Sequence, residues 1–152
     1  MDTPEQARTP QAPREDEPPL KILLADDAAM NLSMATKLFT RKGHTVVGVE
    51  NGRAALDAFR NDSFDVVLMD IQMPVMDGLE ATRQIRNHEK TQAQKGVARF
   101  QQPVPIVGVT AGDEELSRET CLQAGMDGVI YKPLDIKTVL PTLREILRTL
   151  RG

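Results

Sequence analysis

Residues 64–80 read FDVVLMDIQMPVMDGLE. Val66, Val67, Leu68 and Met69 form an unbroken apolar run that ends at one acid, Asp70. A turn carrying Pro74 and Gly78 follows, and a helical pattern begins after it. A short apolar run bounded in this way predicts a strand buried on both faces, as in a parallel sheet. A carboxylate at the carboxyl end of such a strand lies where open α/β sheets bind their ligands. Asp70 is therefore the candidate reactive group, and the other polar residues can be placed relative to it.

The same unit, a short apolar run and then an amphipathic segment, occurs five times from Leu20 onward. The first run, residues 21–25, is stopped by Asp26 and Asp27, and a helix is predicted over about 29–42. Met30, Met34 and Leu38 recur at four-residue spacing as its inward stripe, with Ala35 and Phe39 widening it and Leu32 at the rim. The methionines read as core filler, and Gly43 as the stop. The second run, 45–49, leads through Asn51-Gly52 into a short helix over 54–60 with Leu56 and Phe59 inward.

The helix after Asp70 should start near Gly78, carry Leu79, Thr82 and Ile85 on one face, and be capped near Gly96, with a loop up to Pro103. Arg83, Arg86, Lys90, Lys95 and Arg99 read as a solvated basic face. The fourth run, 104–109, stops at Thr110. Its helix covers about 114–124, anchored by Leu116 and Leu122 and terminated by Gly125. The fifth run, 128–131, stops at Lys132-Pro133. The last helix, 136–150, turns Val139, Leu143, Ile146, Leu147 and Leu150 inward, with Pro141 near its start. His44 and His88 lack metal-ligand spacing and read as surface residues.

Alternation of this kind predicts an α/β fold: a five-stranded parallel sheet in the flavodoxin-like order 2-1-3-4-5, with helices on both faces. Residues 1–19 differ in kind. They hold five of the ten prolines among Glu, Asp, Gln and Arg, and read as a disordered, partly extended tail or linker. The folded domain is expected over residues 20–152. A formal net charge of -3 and 27% charged residues give no reason to expect a nucleic-acid or membrane surface. No apolar run approaches the roughly 18 residues of a membrane span, and the polar beginning lacks a signal region. The single Cys121 rules out an internal disulfide. These features suit a cytoplasmic compartment.

In the 2-1-3-4-5 order, strands one, three, four and five end side by side. Each of them ends in polar residues: Asp26 and Asp27, Asp70, Thr110, and Lys132. One Asp after a strand is usually a cap, and one Lys before Pro is usually solvated. Capping does not explain all of them together. Three carboxylates in one cleft repel unless a cation sits among them, and oxygen ligands beside a phosphate favour Mg²⁺. With Lys132 as a fixed charge and Thr110 as a hydroxyl donor, the set matches phosphoryl transfer to a carboxylate, Asp70.

The stretches ILLADD, LMDIQMPVMDG, VTA, CLQAGMDG and YKP stand in the order found in receiver domains of two-component response regulators. The chain resembles that family over residues 20–150, and most of all the receivers of hybrid histidine kinases and phosphorelays. The resemblance implies transfer from a phosphohistidine to Asp70 and slow self-hydrolysis by a signalling domain that catalyses only its own phosphorylation and dephosphorylation, with kinase activity only as part of a larger hybrid kinase. It implies Mg²⁺ held by Asp27, Asp70 and the backbone carbonyl of Gln72, with Asp26 acting through water. It also implies supporting roles for Ala111 and for Pro133, whose bond to Lys132 is often cis. The implied partners are a sensor histidine kinase or a histidine phosphotransfer domain, which docks at the first helix and the loop after the fifth strand. A homodimer through the face from the fourth to the fifth helix is left open.

The chain departs from the family at Val129, where receivers usually carry an aromatic switch residue, so a muted or different output at the fourth helix and fifth strand is expected. Gln72 and Gly112 occupy the positions that line the path of water to the acyl phosphate, and an intermediate lifetime is expected. A pseudo-receiver that binds partners without phosphorylation is the alternative, as is a receiver fragment of a hybrid histidine kinase. A haloacid dehalogenase-type phosphatase needs a second Asp where Gln72 stands. A flavodoxin needs aromatics to stack its flavin, and only 3% of this chain is aromatic.

Overall fold

The computed structural model describes residues 18–111, 118–132 and 134–151. The expected tail, apart from Pro18 and Pro19, lies outside them, as do Gly112, Leu116 and Pro133. Five parallel strands, β1 (Lys21–Ala25), β2 (Thr45–Val49), β3 (Val66–Asp70), β4 (Ile106–Thr110) and β5 (Gly128–Tyr131), form one sheet in the order β2-β1-β3-β4-β5. Between and after them run α1 (Ala29–Arg41), α2 (Gly52–Asn61), α3 (Gly78–Gln94), α4 (Arg118–Ala124) and α5 (Ile136–Arg151). This is the expected flavodoxin-like topology.

Strand alternation divides the core into two layers. Ile22, Leu24, Val66, Leu68, Val107, Val109 and Ile130 face α1 and α5, where they meet Phe39, Val139, Leu143 and Leu147. Leu23, Ala25, Val67, Met69 and Ile106 face α2, α3 and α4, where they meet Leu56, Phe59, Ile85 and Cys121. Every residue of β3 is buried. Each fully buried Val, Leu, Ile or Phe contributes roughly 1.5–3 kcal/mol, which is why the sheet is held from both sides.

Local signals set the helix ends. The Asn51 side chain accepts the Ala54 amide and the Asp77 side chain accepts the Glu80 amide, both at 2.8 Å, so α2 and α3 start with capped amides. Gly96, at φ +83, lies just past α3, where a left-handed residue ends a helix. The loop beyond it contains a 3₁₀ turn, Ala98–Phe100, that buries Phe100.

Several sequence expectations are corrected. Met30 and Met34 are 76% and 54% exposed, so they are not core filler. Helix α1 instead buries Ala35 and Phe39, and Leu32 packs onto β2, where Gly48 leaves it room. Leu122 and Leu150 are exposed, and Cys121 and Ala124 anchor α4. His44 is buried and its Nδ1 accepts the Leu20 amide at 2.9 Å. His88 is half-buried, edge-on to Phe59 and Phe100. Arg86 leaves the solvated face, half-buried, to pair with buried Glu89 and half-buried Asp127. Each of these depends on which neighbour a side chain meets, which helical spacing does not encode.

Candidate phosphoryl-transfer site

The parallel sheet brings the strand ends together as expected. Asp26 follows β1, Asp70 ends β3, Thr110 ends β4 and Lys132 follows β5. Backbone bonds continue the pairing into the site: the Asp26 amide donates to the Val49 carbonyl (3.0 Å) and the Lys132 amide to the Thr110 carbonyl (2.7 Å). These bonds fix where each side chain departs.

Lys132 Nζ lies 3.0 Å from Asp70 Oδ2 and 3.9 Å from Asp26 Oδ2. Carboxylate oxygens of Asp26, Asp27 and Asp70 lie within 4.8 Å of one another. Asp26, Asp70 and Thr110 are each 4% exposed, whereas Asp27 is exposed. Burial pushes the Asp70 carboxyl above its usual range. The Lys132 hydrogen bond and charge oppose that rise, the Asp26 charge adds to it, and the Gln72 amide opposes it. The Asp26 Oδ1 also accepts the Ala28 amide at 2.9 Å, which orients that carboxylate. A cavity of about 290 Å³ opens over the group, lined by Asp27, Asp70, Gln72, Thr110, Ala111 and Lys132.

The donor set fits a divalent cation. Three carboxylates share the cleft with one ammonium, so negative charge is left over, and all the ligand atoms are hard oxygens. Exposed Asp27 leaves the cleft open on one side, where an incoming phosphoryl group can enter.

The loop after Asp70 is held at several points. The Gly78 amide donates to the Ile71 carbonyl (2.8 Å), and a Cβ on Gly78 would sit 2.1 Å from the Asp70 carbonyl oxygen. Only glycine permits that approach. The Gly52 amide donates to the Met76 carbonyl (2.9 Å). Between these anchors the Met76 amide closes on the Pro74 carbonyl (2.7 Å), with Val75 at φ +70. A β-branched residue there is strained. Pro74 and Gly78 mark this turn in the sequence, but no residue type announces its strain.

Val129 is half-buried and pairs with Gly108, over which Met126 packs. Tyr131 pairs with Thr110 but is 55% exposed. A second cavity, of about 330 Å³, lies between α1 and α5. It is lined by Met34, Leu38, Phe39, Leu134 and Val139 and reaches the site through Asp26 and Lys132. Leu32, at the rim of the α1 stripe, is not among the residues that line this opening; Met34 and Leu38 are.

Comparison with known proteins agrees with this geometry. The family model for the response regulator receiver domain matches residues 22–144. The sensor protein GacS of Pseudomonas syringae pv. syringae is 40% identical over 131 residues, covering 82% of this chain and 14% of that protein. The chain spans 7–16% of the length of the histidine kinases it matches. The receiver domain of sensor histidine kinase PA1611 from Pseudomonas aeruginosa PAO1, solved with magnesium in its active-site cleft, superposes with a TM-score of 0.70. It shares 30% identity and covers 86% of this chain and 98% of that one. The receiver domain of Saccharomyces cerevisiae Ssk1, solved with the histidine phosphotransfer protein Ypd1, gives a TM-score of 0.76 at 25% identity, covering 84% and 88%. With its acidic cluster, Thr and Lys at the carboxyl ends of a 2-1-3-4-5 sheet, this chain belongs to the response regulator receiver domain family.

Proposed function

We propose that this receiver takes a phosphoryl group from a phosphohistidine onto Asp70 and acts as a switch in a phosphorelay. The observation that carries this reading is the contact of Lys132 Nζ with Asp70 Oδ2 at 3.0 Å, inside a cluster of three carboxylates. An Asp70 oxygen attacks phosphorus in line, an O–P bond forms as the N–P bond breaks, and the electron pair leaves with the imidazole nitrogen. Lys132 shifts from carboxylate to phosphoryl oxygens, and Thr110 supplies a hydroxyl to the new acyl phosphate.

Asp27, Asp70 and the Gln72 carbonyl would hold Mg²⁺, with Asp26 behind them through water. When bound, that ion would neutralise charge developing on the phosphoryl oxygens. The protein's remaining contribution is to place Asp70 in a buried, pre-oriented setting. It catalyses only its own phosphorylation and dephosphorylation.

The partner would be a histidine kinase or a histidine phosphotransfer domain. Support comes from the apolar opening between α1 and α5, with exposed Met34 and half-buried Leu38 in its lining and Lys132 where it meets the acidic cluster. Thioether side chains adapt to a helical partner. Among the described residues no helix is long and apolar enough to cross a membrane, and a phosphohistidine partner suits a cytoplasmic location. Exposed Leu122 and Tyr131 leave a homodimer through α4, β5 and α5 within the proposal.

Incubation with acetyl phosphate and Mg²⁺ tests the reading. Intact mass should rise by one phosphoryl group, the gain should vanish with EDTA, and Asp70→Asn should abolish it. An unchanged mass in the native protein would leave the pseudo-receiver reading instead.

A further inference from the structure

The amino ends of the strands carry a groove that phosphoryl chemistry does not use. Its volume is about 370 Å³, and Phe64, Pro103, Pro105 and Leu150 form its apolar wall, with Arg99 and Gln102 beside them. The acids at its floor are already engaged. Asp65 accepts the Lys21 amide (2.8 Å), Glu89 the Val104 amide (2.6 Å) and Asp127 the Ile106 amide (2.9 Å). The groove therefore presents mainly hydrocarbon and proline rings; the Arg99 guanidinium stacks 4.3 Å from the Phe100 ring centroid and donates to the carbonyls of Asp62 (2.6 Å) and Arg60 (3.2 Å).

The chain enters the domain at the rim of this groove. Asp65 clasps Lys21 in both directions, since its own amide also donates to the Lys21 carbonyl at 2.8 Å. Lys21 Nζ lies 5.4 Å from the Phe64 ring centroid. The Pro18 carbonyl accepts from Arg144 at 3.1 Å, on the same helix as Leu150. Pro18, the first described residue, thus lies beside α5.

Their chemistry complements it. They carry Pro4, Pro10 and Pro13 and then the acidic run Glu15, Asp16, Glu17. Proline-rich segments are already extended, so they lose little entropy on entering a groove lined with aromatic and proline rings. At about 3.1 Å per residue, the five steps from Pro18 to Pro13 give the Pro10–Pro13 stretch a reach of about 15 Å from α5, whose Leu150 lines the groove. The tether holds that stretch at an effective concentration on the order of millimolar. The acids would lie near Arg144 and Arg148.

We propose that residues 1–17 dock in cis on this groove, with the Pro10–Pro13 stretch against Phe64, Pro103 and Pro105 and the acidic run against α5. The edge opposite Asp70 is then a surface for the segment that precedes the domain, whatever the phosphorylation state.

A nitroxide at Ala7→Cys in the full chain tests this, because Cys121 is 1% exposed and does not compete for the label. The amides of Phe64, Arg99 and Gln102 should lose most of their signal and recover it when the label is reduced. Combined Pro10→Ala and Pro13→Ala should abolish the loss, and dilution should not. Broadening that is absent, falls around Asp70 and Met34, or fades on dilution as contact with a second copy would, overturns the proposal.

Discussion

The two edges of the sheet treat charge in opposite ways. At the carboxyl edge, three carboxylates face one lysine, and the balance is left negative. At the amino edge, Arg86 donates to Glu89 and Asp127 (2.8 and 2.9 Å) and to the carbonyls of Val104 and Gly125 (2.8 and 2.9 Å). Each of those acids also takes a backbone amide. One edge holds unspent charge for a ligand; the other uses charge to tie α3 to the starts of β4 and β5. A buried charge is a strut only when its partners are complete.

Removing a partner at each edge should therefore act with opposite sign. Arg86→Ala strands buried Glu89 and half-buried Asp127, and it should cost about 3 kcal/mol, seen as a lower urea midpoint at an unchanged slope. A loss below about 1 kcal/mol would make the pairs equivalent to exposed ones. Asp26→Asn relieves repulsion at the other edge, so in EDTA it should stabilise by about 1 kcal/mol. In the native protein Mg²⁺ should raise the melting temperature, and in this variant by much less. Destabilisation in EDTA would mean that orienting Ala28 matters more than repulsion.

The strained turn sharpens the contrast between the edges. Val75→Gly removes backbone strain of about 1–3 kcal/mol and gives back about 0.4–1 kcal/mol in unfolded-state entropy. A net gain of about 1 kcal/mol in denaturant melts is expected. If the variant is no more stable, the left-handed conformation costs nothing in this setting.

The smallest effect belongs to His88 at the amino edge. Burial lowers its pKa, and the charges of Arg60, Arg99 and Lys95 add to the effect against Glu89. The unfolded chain then binds this proton more readily than the folded one, so stability rises with pH in this window. The contribution is complete above the ordinary value of 6.5, shrinks as pH falls below it, and levels off under the depressed folded value. His88→Phe should flatten urea midpoints between pH 7 and 5. An unchanged slope would assign that pH dependence elsewhere.

The gathering of Asp26, Asp70, Thr110 and Lys132 was legible because a parallel sheet carries every strand's carboxyl end to one edge, so polar residues at neighbouring strand ends meet. Arg86 was not, because its spacing on α3 also fits a solvated face, and only the approach of Asp127 and Val104 closes around it. Helix α1 is the clearest miss. It carries two apolar stripes, Met30-Met34-Leu38 and Leu32-Ala35-Phe39, and the sheet buries the second.

The sequence by itself determined the strand order, the acidic pair, the carboxylate at Asp70 and the lysine after β5. Each follows from short-range pattern and the handedness of the crossovers. Tertiary structure alone decided which face of α1 meets the sheet, which charges at the amino edge neutralise one another, and that Val75 is held in a strained turn. Those outcomes depend on contacts between residues far apart in the chain, where packing and desolvation choose among local patterns that are equally good.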